Sequence, residues 1–246
     1  MLQAAVSSAD YQRGVALIEK RDYAGAIQTL AGAAAAAPRN AQVWKALGVA
    51  YAASGDYRGA ATAFEQSCNL DPRLLDACFY LGQAYYAADQ YEPAIAAFRK
   101  ALPLDAKPWR VRLGIAKALE ALGRSEEAEK EFVAALRESE YAEESAPVAY
   151  GVFLIRQGRL AEALAPLAKA LKRFPGSAAA NLEAGRALLE LGRTDEAVRC
   201  LETAVQAAPD STQARLLLGK AYTRLGRDRE AQQQFEAARQ GSLTAR

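Results

Sequence analysis

Few side chains in this sequence could do covalent or acid–base chemistry, and their arrangement argues against it. Histidine is absent from all 246 residues. That removes His-based nucleophilic triads, zinc sites that need His, and the commonest general base near neutral pH. Cys68, Cys78 and Cys200 fall short of the four thiolates of an all-Cys zinc site. Their uneven spacing is no disulfide framework. Helix stacking could bring Cys68 and Cys78 near each other, but a buried thiol that merely packs is the commoner case, and none of the three is assigned a redox role. The carboxylates are densest at Glu126, Glu127, Glu129 and Glu131, followed by Glu138, Glu140, Glu143 and Glu144. Paired carboxylates do acid–base work only where a pocket separates their pKa values, and these are expected on a solvated outer face. Gly219-Lys220 is followed by Ala and falls inside a helical pattern, and no GxGxxG occurs, so no phosphate loop is present. The sequence therefore predicts no catalytic residue, no cofactor, no metal ligand and no enzyme activity of its own.

Charge and hydropathy exclude further classes. Lys plus Arg number 31 and Asp plus Glu 29, a net charge of +2. That is not the basic surplus of a nucleic-acid binder. The longest apolar run, Ala146 to Ile155, is too short to cross a bilayer, which takes about 20 residues. The opening MLQAAVSSAD has neither the basic start nor the apolar stretch of a signal peptide. The expectation leans slightly to the cytoplasm, with the periplasm open if a leader has been removed. Richness in Ala and Arg, with few Lys and Asn, gives the composition a bacterial look.

What must position any functional residue is a repeat. In 41–74, Trp44, Leu47, Gly48 and Tyr51 fall at i, i+3, i+4, i+7, one face of a helix. Ala60, Phe64 and Ser67 mark a second helix, Gly55 breaks the chain between the two, and Pro72 ends the unit. The frame recurs. One column reads Gly14, Gly48, Gly82, Ala116, Gly151, Gly185, Gly219; a second reads Ala26, Ala60, Ala94, Ala128, Ala163, Ala197, Ala231; a third reads Leu30, Phe64, Phe98, Phe132, Leu167, Leu201, Phe235. Small residues let two helix backbones approach, and the large columns fill the space between one helix pair and the next.

These residues resemble the tetratricopeptide repeat (TPR) family, whose signature is W-x-x-L-G-x-x-Y, then A-x-x-x-F, then P. Seven repeats fit, at 7–40, 41–74, 75–108, 109–142, 144–177, 178–211 and 212–245. The departures concentrate in two columns: the Trp column keeps only Trp44, and Ala106, Glu140 and Leu243 stand where Pro is expected. The resemblance implies an all-α fold, a right-handed α-solenoid of helix-turn-helix repeats forming one domain over 1–246. The one irregular joint, 137–147, reads as a slightly longer second helix in the fourth repeat rather than a hinge.

The resemblance also implies a concave surface lined by the first helix of each repeat. On its open side, the first three repeats offer Tyr11, Lys45, Val49, Phe79, Tyr80, Gln83 and Tyr86. The later repeats offer Arg110, Lys117, Arg156, Arg186, Lys220 and Arg224, of which Lys117, Arg156, Arg186 and Lys220 make a discontinuous basic ladder, with Glu120, Glu183 and Glu190 close by. An extended or helical peptide with an apolar part and an acidic segment would suit this surface. The Lys and Asn clamp with which some TPR domains hold a chaperone carboxylate is missing: Val49, Tyr80 and Gly114 stand where its key side chains would be. The expected function is a non-catalytic interaction scaffold with a protein or peptide partner, no nucleic acid and no transmembrane segment. The alternatives are a self-associating assembly protein (a homo-oligomer) and the regulatory arm of a larger enzyme or secretion component.

Overall fold

The structure, a computed structural model, describes the backbone of residues 2–74 and 76–244 and the side chains of 9–74 and 76–241. Among these residues the regular structure is entirely helical. The helices are α1 (Leu2–Glu19), α2 (Tyr23–Ala36), α3 (Ala41–Ser54), α4 (Tyr57–Leu70), α5 (Ala77–Ala87), α6 (Tyr91–Ala101), α7 (Pro108–Ala121), α8 (Ser125–Ser139), α9 (Ser145–Arg156), α10 (Leu160–Arg173), α11 (Ala178–Glu190), α12 (Thr194–Ala207), α13 (Thr212–Arg224) and α14 (Asp228–Thr244). A 3-10 helix, Leu102–Leu104, follows α6. The chain divides into two compact units, Met1–Glu131 and Phe132–Arg246. Both are stacks of helix pairs in the expected frame.

Packing within each pair rests on the glycine and Phe/Leu columns. A Cβ added to Gly48 would lie 2.7 Å from the Phe64 ring, and one on Gly82 would lie 2.5 Å from Phe98. Gly185 faces Leu201 and Gly219 faces Phe235 in the same way. The second helix thus presses a large side chain directly onto the backbone of the first. Ala26, Ala60, Ala94, Ala128, Ala163 and Ala197 are wholly buried beside these contacts.

The helix ends use two dialects. Asp22 and Asp56 cap α2 and α4 by accepting hydrogen bonds from the Gly25 and Gly59 N–H groups. Later second helices start with Arg followed three residues on by Glu: Arg124–Glu127, Arg159–Glu162, Arg193–Glu196 and Arg227–Glu230 are all ion-paired. The turn from first to second helix passes through a left-handed residue at one fixed position. Gly55, Gly123, Gly158, Gly192 and Gly226 occupy it, but Arg21 and Asp89 take it with φ of 61° and 58°.

The Trp column has lost its ring but kept its bond. Trp44 Nε1 donates to Pro38 O at 2.9 Å, anchoring the start of α3 to the incoming linker. Asn181 Nδ2 donates to Pro175 O at 2.8 Å, and Arg215 Nε donates to Pro209 O at 2.8 Å. Three different side chains at one frame position make the same tether.

The third repeat departs from the expected frame. Its helices α5 and α6 have 11 residues each, against 14 in α3 and α4. Pro103 explains the second truncation: it lacks the N–H that an α-helix would use there, and the chain tightens into the 3-10 turn. The first truncation follows from Asp76, which caps α5 in a left-handed conformation without a side-chain capping bond. Cys68 and Cys78 are joined in a disulfide, a correction to the sequence expectation of separate packed thiols. Only Cys200 is free among the described cysteines. At the irregular joint, α8 runs to Ser139 and is followed by two left-handed residues, Glu140 and Tyr141. Both lie inside the second unit.

Candidate functional site

Within the first unit, consecutive first helices pack together where α1 meets α3 and where α5 meets α7. Between α3 and α5 the space is open. It forms a cavity of about 400 Å³, within the range of ligand pockets. Its walls are Val49, Ala52 and Ala53 from α3, Tyr57 and Phe64 from α4, and Tyr80, Gln83, Ala84 and Ala87 from α5. The alanines create the room, because larger side chains at those positions would fill it. The lining is almost entirely apolar, with Tyr57 well exposed at 41%. The Phe64 and Tyr80 rings are 5.6 Å apart. Lys45, one turn before Val49, places its Nζ 5.9 Å from the Tyr80 ring centroid, so a positive charge borders an apolar hole.

Of the surface predicted from sequence, Val49, Tyr80 and Gln83 meet around this cavity and Lys45 sits at its edge. The other residues are placed differently. Phe79 is buried, packed on Phe98 and covered by the Arg110 guanidinium, 4.4 Å from its ring. Arg110 is ion-paired with Asp76 and Asp105, so its charge is already engaged. Tyr86 is half-buried, its ring 5.5 Å from Tyr91. Tyr11 packs against the core formed by α2 and α3. Lys117 is exposed on α7. Sequence reading missed Tyr57 and Phe64, which enter from the second helix. An unusually alanine-rich open side on α3 and α5 was the available signal.

In the second unit the basic positions do not form a uniform ladder. Arg156 and Lys220 are exposed. Arg186 lies 3.3 Å from Glu183, and Arg224 donates to the Leu189 carbonyl. Burial pushes the Glu183 carboxyl above its usual range, against the pull of Arg186 and Arg156. Its Oε2 is buried and, although near Arg186, accepts no hydrogen bond among the described residues.

Two family models described as tetratricopeptide repeat match the chain, one at 11–74 and 113–178 and the other at 154–211 and 192–240. The chain belongs to the tetratricopeptide repeat family. A third match, over 53–135, is to the model described as anaphase-promoting complex, cyclosome, subunit 3. No curated protein sequence matches this TPR chain. Among solved structures it is similar to the APC/C hetero-tetramer Cut9–Hcn1, with TM-score 0.69 and 16% identity over 98% of its length, but it spans only 45% of that chain. It is similar to PilW, a type IV pilus biogenesis factor, with TM-score 0.66 and 22% identity over 79% of this chain and 90% of that one. YrrB, a TPR protein with an unusual peptide-binding site, aligns with TM-score 0.52 and 22% identity over 75% of this chain and 95% of that one. At these identities the likeness is one of fold. The repeat family and fold are those of interaction scaffolds, and none of the described helices is long and apolar enough to cross a membrane.

Proposed function

We propose that this TPR protein is a non-catalytic scaffold that holds a peptide or protein segment against the first helices of its N-terminal unit. A bulky apolar side chain of the partner enters the cavity beside Tyr80, and acidic residues flanking it face Lys45 and Lys117. The observation that carries the reading is the cavity itself: an open, apolar recess bordered by a lysine, where neighbouring first helices otherwise pack together. Apolar area buried there supplies affinity, and the charge fixes the direction in which the segment lies.

Panning a random peptide library on the wild-type protein and on Val49→Glu tests it. The expected result is an enriched set carrying a Phe, Trp, Tyr or Leu next to Asp or Glu, lost on Val49→Glu, which puts a charge in the recess. Recovery of the same peptides by both proteins would place binding elsewhere.

A further inference from the structure

The start of α5 lacks both tethers that hold α3, α11 and α13. Asn40, Ser177 and Ser211 cap α3, α11 and α13 with side-chain hydrogen bonds, whereas Asp76 makes none to the helix. At the position of Trp44, Asn181 and Arg215 stands Cys78. Its Sγ lies 3.9 Å from Pro72 O, and as a disulfide sulfur it has no hydrogen to donate. What replaces these tethers is the covalent bond to Cys68 at the end of α4, together with the Asp76–Arg110–Asp105 ion cluster. The bond joins the two helices that carry Phe64 and Tyr80, whose neighbouring rings both line the cavity, and Cys78 is two residues from Tyr80.

We propose that the Cys68–Cys78 bond holds the α5 wall of the cavity in place, so that the ordered wall, and the binding proposed above that rests on it, belong to the oxidised protein. The working form is then one matured where dithiols are oxidised, contrary to the reducing compartment favoured by composition. Formation is an exchange. One cysteine thiolate attacks the disulfide of a disulfide-bearing oxidase, releasing one of its thiolates. The second cysteine thiolate then attacks the mixed disulfide, and the donor leaves as a dithiol with two electrons, the two protons passing to it through solvent. Both cysteines are buried, 2% and 3% exposed, so the finished bond is shielded from exchange.

The test uses the full chain in three forms: oxidised, reduced with dithiothreitol, and Cys68→Ala/Cys78→Ala. Hydrogen exchange of the amides in 77–84 is expected to accelerate about tenfold or more in the last two forms, with α11 amides unchanged as an internal control. Equal protection in all three would overturn the proposal, whether or not a peptide has been found. A peptide selected on the oxidised protein should bind the reduced and double-Ala forms at least about tenfold more weakly; equal affinity would sever the bond from the site. If panning yields no peptide, the binding reading fails while the exchange result still decides the wall. Protein alkylated inside its native cells before lysis should yield the crosslinked Cys68 and Cys78 peptides and an alkylated Cys200. Alkylation of all three would show that the working form is reduced and would overturn the proposal.

Discussion

Asn181 reaches 2.8 Å to the carbonyl of Pro175, the bond that the Trp44 indole makes to Pro38 four repeats earlier in the frame. Asn181 is 5% exposed and also donates to Ser177 O at 2.9 Å. Asn181→Leu keeps the bulk but removes the side-chain hydrogen bond to the Pro175 carbonyl, while the Ser177 carbonyl still accepts from the Asn181 backbone N–H. A loss of about 0.5–1.5 kcal/mol in denaturant unfolding is expected. An unchanged midpoint would mean that the tether is idle.

The left-handed turn positions predict stabilising changes. Arg21 holds φ of 61° where five other repeats use glycine, a conformation costing a residue with a Cβ about 1–2 kcal/mol. Arg21→Gly should therefore raise the melting temperature. Asp89→Gly should gain less, because Asp89 Oδ1 accepts a 2.6 Å hydrogen bond from the Tyr91 hydroxyl. The reverse order would show that the backbone term is not the controlling one.

Gly48→Ala tests the close packing of the second repeat. The new methyl would stand 2.7 Å from the Phe64 ring, and overpacking of this kind costs about 1–3 kcal/mol. Because Phe64 is also a cavity wall, displacement of its ring should weaken peptide binding too. Wild-type stability together with wild-type binding would contradict the register assigned here.

Glu183 sets a pH dependence. Burial, the largest influence, raises its pKa, while Arg186 and Arg156 oppose the rise. The folded protein then holds this proton more tightly than the unfolded chain, so Glu183 contributes most below the unfolded value of about 4.3, and its contribution is lost as pH rises through the folded value. Glu183→Gln should be more stable than wild type at neutral pH, with the difference shrinking as pH falls toward 4 on the same ordinary carboxylate scale, roughly. Parallel stability curves for the two proteins would contradict it.

Much of the fold was legible because its packing is local and periodic. Gly48 meets Phe64 sixteen positions later in a fixed frame, as Gly82 meets Phe98, so the residue spacing carries the contact. The candidate site was legible in part. Val49, Tyr80 and Gln83 fall on the predicted open side and do line the cavity. Phe79 and Arg110 share that predicted side, yet the structure buries one under the other. A column assigns a direction to a side chain but does not say whether a neighbour will cover it.

The sequence by itself determined the all-helical repeat, its 34-residue frame and the membership of each packing column, because helices three to four turns long meet their nearest neighbours in order along the chain. Only the tertiary structure decided where that order fails. The late start of α5 after left-handed Asp76, the Cys68–Cys78 bond, the Arg110 pairing with Asp76 across 34 residues, and the open space between α3 and α5 all depend on how adjoining repeats stack. Spacing alone cannot encode such contacts, since each is settled by the position of one helix end in three dimensions.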